Sequence, residues 1–266
     1  MDLYPLNLIL AIATASATIF LGFLPTKNIS STFFANETGK AILAWGLVAV
    51  MSSSKILHFP IMLAFFCFAA WWNFGRDRAL SGKMWLSVAS GLGISIGVMT
   101  ILAVTPQANP PGLPQLNETL LLASIYLGSA IIGLAYVCFA LVQGTNSGVT
   151  QGVIQRYVGL LFGLTLLRAA AMLASAFLPG VRANAFSDLK IPARIWTEIG
   201  IPIETVRETL LFSIILLILT VMVLPALAFL AKRATEFSSR IQPTRFLIAI
   251  MFFGFMTEFF ARIARL

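Results

Sequence analysis

Long uninterrupted runs of apolar residues recur along the 266-residue chain and constrain its fold more than any other feature. A helix needs about 20 apolar residues to cross the hydrocarbon core of a bilayer. Only helices and closed barrels satisfy their backbone groups there, and the strands of a barrel would alternate in polarity and be about half as long. The runs therefore predict an all-α, polytopic integral membrane helix bundle that forms a single domain, residues 1–266.

Composition agrees with a membrane location and argues against nucleic-acid binding. Hydrophobic residues make up 59% of the chain and charged residues 11%, whereas soluble domains are about 25% charged. The net charge of +8 comes from residues scattered in short segments between apolar runs. An excess of Lys and Arg in such loops is typical of membrane topology, so the expected neighbours of these charges are membrane lipids.

The apolar runs predict about eight transmembrane helices. Their expected ranges are about 6–24, 40–56, 59–74, 84–104, 118–143, 153–178, 205–231 and 244–261. In this interpretation residues 26–40 form a loop, a tight turn near His58 separates the second and third helices, and Asn117 is the N-cap of the fifth helix. The alternative is a seven-helix chain, in which residues 41–74 form one kinked helix.

Loop charges indicate the orientation of the bundle. The N-terminus, which carries Asp2 and no basic residue before Lys27, favours eight helices with both termini outside over the seven-helix chain, whose N-terminus would be inside. Residues 76–83 and 232–245 are rich in Lys and Arg, whereas the Pro-rich segment 105–116 has neither. Basic loops remain on the inner side of a membrane. We therefore expect a multi-pass membrane protein with these two basic segments on the inner side.

Metal chemistry is not expected in this chain. His58 is its only histidine, so a haem held by two histidines is excluded. Cys67 and Cys138 lie within apolar runs, and two thiols do not make a metal site. We expect no haem and no metal bound by this chain.

Four polar residues near or within the predicted spans are candidates for a binding site: His58, Arg168, Glu258 and Arg262. A charge in mid-membrane is costly and marks a functional site by default, and Glu258 is the predicted partner of Arg168. A structural ion pair that locks helices together is an equally good interpretation. His58 is either a histidine satisfied by backbone at the interface or a hydrogen-bonding and proton-accepting group for a lipid-soluble redox ligand. The topology places all four residues in the outer half, where we expect them to line one outward-opening cavity.

Three stretches resemble the membrane anchor subunits of dimethyl sulfoxide reductase-type molybdoenzymes, a family of quinol-oxidising anchors. Residues 56–60, Ile-Leu-His-Phe-Pro, are similar to the family's Leu-His-Leu-Gly-x-Pro turn. Residues 116–119, Leu-Asn-Glu-Thr, resemble the segment before its fifth helix, without the family's Trp. Residues 254–262, which contain Gly254, Thr257, Glu258 and Arg262, are close to its Gly-Glu-x-x-Gly-Arg motif.

The resemblance implies a multi-pass anchor in the bacterial inner membrane that binds menaquinone or ubiquinone and passes electrons between a quinol and a partner iron–sulfur subunit. That ferredoxin-like subunit would in turn contact a molybdopterin catalytic subunit. The resemblance also implies that His58, Glu258 and Arg262 contribute to quinone binding, and whether the chain counts as an enzyme in its own right stays open. A small-solute transporter and a purely structural subunit of a membrane complex are the alternatives.

Overall fold

The structure, a computed structural model, describes residues 4–52, 57–104, 113–144, 149–177, 214–237 and 241–263. Over these ranges it is all-helical, without strands. The helices are α1 (Tyr4–Phe23), α2 (Ser31–Met51), α3 (His58–Phe74), α4 (Ala79–Val104), α5 (Leu113–Gln143), α6 (Gln151–Phe177), α7 (Ile214–Glu236) and α8 (Ile241–Ile263). This part of the chain confirms the predicted all-helical fold.

Within the described residues, four helices contain segments long and apolar enough to cross a membrane. These segments are Leu6–Phe23, Tyr126–Gln143, Gln151–Ala174 and Ile214–Glu236. The chain therefore has the helices of a membrane protein, as predicted. The number of helices that cross the bilayer and the side of each terminus stay predictions.

The helices form two four-membered rings with the same order of neighbours. In the first ring α1 packs against α2, α2 against α3, α3 against α4, and α4 against α1. In the second ring α5 packs against α6, α6 against α7, α7 against α8, and α8 against α5. The two rings meet where α1 packs against α5 and α8.

Small residues let α1 lie close to its neighbours in both rings. A Cβ atom on Gly133 of α5 would overlap the carbonyl oxygen of Ala13 and lie 2.9 Å from the amide nitrogen of Ala17. On the other side, Ser90 of α4 donates a hydrogen bond to the carbonyl oxygen of Thr18, 3.2 Å away. Small residues at such contacts allow the helix backbones to approach each other, which is how the two rings are joined.

The second helix begins earlier than predicted, because residues 31–40 are helical and not a loop. Ser30 caps the helix, its side chain accepting a hydrogen bond of 3.2 Å from the amide of Phe33. The helix ends at Met51, where Ser52 is extended and its amide donates to the Ala49 carbonyl. Since α3 then begins at His58, the described residues between 41 and 74 belong to two separate helices.

The fifth helix also begins earlier than predicted. It starts at Leu113, so Asn117 lies within the first turns and is not the N-cap. Pro114 occupies the second position, where its missing N–H costs nothing because first-turn amides have no helical acceptor. Residues 105–112 of the Pro-rich segment and residues 178–213 lie outside the described part of the chain.

Candidate functional site

A buried ion pair joins α6 to α8 in the second ring. An Nη atom of Arg168 lies 2.5 Å from Oε1 of Glu258, and the two side chains are 3% and 0% exposed. The structure therefore confirms the predicted partner of Arg168. The pair lies 17 residues into each helix, counted from Gln151 and from Ile241, which corresponds to about 25 Å at the usual helical rise.

Three further groups fix the geometry of the pair. Ser129 of α5 donates a hydrogen bond of 3.1 Å to the second carboxylate oxygen of Glu258. The guanidinium of Arg168 also donates to the hydroxyl oxygen of Thr257, at 3.2 Å, and that hydroxyl donates to the Gly254 carbonyl at 2.8 Å. Both carboxylate oxygens and two guanidinium nitrogens thus have partners, as burial of charged groups requires.

Gly128 allows α5 to approach the pair. A Cβ atom at this position would overlap the Glu258 carboxylate and lie 2.5 Å from Cζ of Arg168. Because Gly128 and Ser129 are adjacent, one turn of α5 supplies both the space and a hydrogen bond. Sequence reasoning missed both residues, although a Gly-Ser pair inside an apolar run is a recognisable signal of close helix approach.

The chemistry of this site follows from its two charged groups. Glu258 can bind and release a proton, whereas the guanidinium of Arg168 stays protonated in proteins. If Glu258 became neutral, Arg168 would be left with a buried positive charge that an incoming anionic oxygen would neutralise. The arrangement therefore suits a ligand that gives up a proton and becomes anionic as it does so.

A π-helical turn interrupts α7 at about the same depth along the bundle as the Arg168–Glu258 pair. It spans Leu219–Val223, and Thr220 lies 16 residues before the end of the helix at Glu236. This end of α7 lies beside the start of α6, because the side chain of Gln151 donates a hydrogen bond to the carbonyl oxygen of Thr235. Positions in the two helices can therefore be counted from the same end of the bundle. Thr220 is 0% exposed, and its hydroxyl has no hydrogen-bond partner among the described residues.

A second buried carboxylate lies where the two rings meet. Glu37 of α2 accepts a hydrogen bond of 2.6 Å from the hydroxyl of Tyr136 of α5 and another of 2.6 Å from Lys40. The Glu37 side chain is 5% exposed and that of Lys40 is 59% exposed. Sequence reasoning missed this site because it placed residues 26–40 in a loop.

The structure does not bring His58 to the ion pair. His58 begins α3 with an exposed side chain, and its ring contacts Phe59 at a centroid distance of 4.1 Å. α3 packs against α2 and α4 in the first ring, whereas the ion pair is in the second. The side chain of Arg262 lies outside the described part of the chain, so its role in the site stays a prediction.

Comparison with known proteins finds no relative. No family model, no curated protein and no solved structure matches the chain.

Proposed function

We propose that this chain is the membrane anchor and quinone-binding subunit of a multisubunit respiratory oxidoreductase in the bacterial inner membrane. In this proposal eight helices cross the bilayer, both termini are outside, and the Arg168–Glu258 pair binds menaquinol or ubiquinol. The observation that carries the proposal is this ion pair, which lies buried in an apolar four-helix ring. Intramembrane charges of this kind are rare and mark ligand or proton sites.

The chemistry of quinol oxidation fits the pair. A quinol loses two protons and two electrons when it becomes a quinone. Glu258 would accept the first proton, and Arg168 would then stabilise the quinolate oxygen. The second proton would leave to water at the outer face, and the two electrons would pass to a cluster of the partner iron–sulfur subunit.

The resemblance to molybdoenzyme anchors supports the same function and adds the partner subunits. It includes Glu258 and Arg262 in one motif and His58 in another. His58 is in a different ring from Glu258, so its contribution is a separate prediction that needs its own variant.

Titration of the purified protein with a fluorescent hydroxyquinoline N-oxide, a quinol analogue, tests the proposal. We expect the native protein to quench the fluorescence of the analogue and the Arg168→Met/Glu258→Gln double variant not to. The matched control is the Arg233→Met/Glu236→Gln double variant, which removes an exposed ion pair of 3.1 Å in α7. His58→Ala measures the contribution of His58 separately.

Absence of binding by the native protein would refute the proposal. Equal binding by the native protein and the Arg168→Met/Glu258→Gln variant would show that the ion pair is not part of the quinone site. Co-purification of an iron–sulfur subunit with the native chain would support the predicted partnership.

A small-solute transporter is the second candidate, because two observations favour it. The two rings share one order of neighbours, and a helix is interrupted at the depth of the buried charges. Transporters are often built from internal repeats and bind their substrates at interrupted helices. Solute uptake by the chain alone in liposomes, without a partner subunit, would favour this candidate over the anchor.

A further inference from the structure

The hydroxyl of Thr220 differs from those of other buried threonines in this protein. Thr165, Thr235 and Thr257 each donate a hydrogen bond of 2.6–2.8 Å to the carbonyl oxygen three residues earlier in their helices. Thr220 makes no such bond, although it is fully buried. A buried hydroxyl without a partner is costly, so the position calls for an explanation.

The π-helical turn and Pro225 each remove the usual donor of one backbone carbonyl. The amide of Leu224 donates to the carbonyl oxygen of Leu219, so the Thr220 carbonyl loses the donor that an α-helix would give it. The α-helical donor for the Val221 carbonyl would be residue 225, a proline that has no N–H. One turn of α7 thus carries a hydroxyl that has no partner among the described residues and two carbonyl oxygens without their α-helical donors. Such turns are frequent at functional sites.

Residues in and beside this turn contact the face of α6 that carries Arg168. Met172 forms a small buried cluster with Leu216, and Leu217 and Val221 pack against it. Met172 lies four residues after Arg168, so both side chains are on one face of α6. The neighbours of Thr220 in α7 therefore contact the Arg168 face of α6, and Thr220 lies at about the same depth along the bundle as the ion pair.

We infer that Thr220 and its π-helical turn form the second half of the ligand site. A quinone ring carries two oxygens; the ion pair would bind one of them, and the Thr220 turn would bind the other. The inference rests on the proposed function, because it assigns a further contact in the same site. A quinol hydroxyl can donate to a carbonyl of the turn, and a quinone oxygen can accept from the Thr220 hydroxyl. Met172 and its apolar neighbours supply the adaptable surface that a flat ring needs.

Replacement of the hydroxyl by a methyl group tests the inference. In Thr220→Val we expect the hydroxyquinoline N-oxide to bind about 2- to 12-fold more weakly, the loss that corresponds to one hydrogen bond. Without ligand, the same variant should unfold at a higher temperature, because it no longer buries an unpaired hydroxyl. Thr220→Ser should bind like the native protein. The control Thr165→Val removes a buried hydroxyl that already has a backbone partner, and its affinity should be unchanged.

Two results would overturn the inference while leaving the proposed function standing. One is native affinity in Thr220→Val when the native protein binds the analogue. The other is a lower unfolding temperature of Thr220→Val without ligand, which would show that the hydroxyl is satisfied within the protein. Failure of the native protein itself to bind would refute the proposed function, and the inference with it.

Discussion

The Arg168–Glu258 pair should show strong energetic coupling, which can be measured with Arg168→Met, Glu258→Gln and the double variant. Each single variant leaves one buried charge without its counter-charge, since the two side chains are 3% and 0% exposed. The double variant carries no charge at the site. In that variant the side-chain amide introduced by Glu258→Gln can still accept the hydrogen bond that Ser129 now donates to the carboxylate.

The expected magnitude follows from burial and distance. Two unit charges about 4 Å apart attract each other by roughly 4 kcal/mol at an effective dielectric constant of about 20. Removal of one member of a buried pair typically costs about 3–5 kcal/mol, whereas removal of both is often close to neutral. We therefore expect each single variant to lose about 3–5 kcal/mol of unfolding free energy and the double variant to lose much less than the sum.

Unfolding in mixed micelles with increasing sodium dodecyl sulfate provides the assay. The five tryptophans of the chain report tertiary structure by fluorescence, and far-UV circular dichroism reports helix content. The control cycle uses Arg233→Met, Glu236→Gln and their double variant, because that pair is 60% and 42% exposed. An exposed pair contributes about 0–1 kcal/mol, so its coupling should be small.

Additive losses in the Arg168–Glu258 cycle would refute the reasoning. Additivity would mean that each charge is stabilised by something other than its partner. A coupling as small as that of the exposed control pair would lead to the same conclusion.

Two other variants test how the rings are joined. Gly133→Ala should lose about 1–3 kcal/mol of unfolding free energy in the same assay, because the new methyl group would meet the backbone of α1. The control Gly159→Ala places its methyl group where no atom is near, so it should be neutral or stabilising. Equal stability of the two variants would contradict the close contact between α5 and α1. Tyr136→Phe should lose about 1.5–3 kcal/mol, the usual contribution of a hydrogen bond to a charged group, since it removes a 2.6 Å bond to Glu37. Tyr157→Phe removes a 3.3 Å bond to a backbone carbonyl and should cost less, so a larger loss there would contradict the assignment.

The sequence was sufficient for the helices and for one ion pair. Long apolar runs have few alternatives to a membrane helix, so the existence of the helices was predictable. Arg168 and Glu258 are opposite charges deep within two such runs, and a charge at that depth needs a partner. Their contact followed from this need and not from any motif.

The start of α2 was not predictable in the same way. Residues 36–40 contain Asn36, Glu37 and Lys40, which lower hydropathy and suggested a loop. The helix accommodates Glu37 because Tyr136, 99 residues away, donates to its carboxylate. A tertiary hydrogen bond of this kind leaves no local signal in the sequence.

The π-helical turn had a signal that sequence reasoning did not use. Pro225 lies in the middle of a long apolar run, and a proline inside a helix removes the hydrogen bond to the residue four positions earlier. The consequence for Thr220 depends on the turn that the backbone adopts, which the proline alone does not determine.

A comparison of the two rings indicates whether the Arg168–Glu258 pair serves only to hold the helices of the second ring together. The first ring has the same order of neighbours, yet its central cluster consists of uncharged residues: Ala41, Trp45, Val48, Leu63, Cys67 and Ala89. Glu37 of this ring is buried, but it pairs with Lys40 of the same helix and with Tyr136 of α5. In the described part of the chain, a four-helix ring of this order therefore closes without an ion pair between two of its own helices. Since apolar replacement of buried pairs is often neutral or stabilising, closure of the second ring does not require Arg168 and Glu258. The cost of burying them is better explained by a ligand that uses their charges, which is why the double variant should keep the fold and lose the quinol analogue.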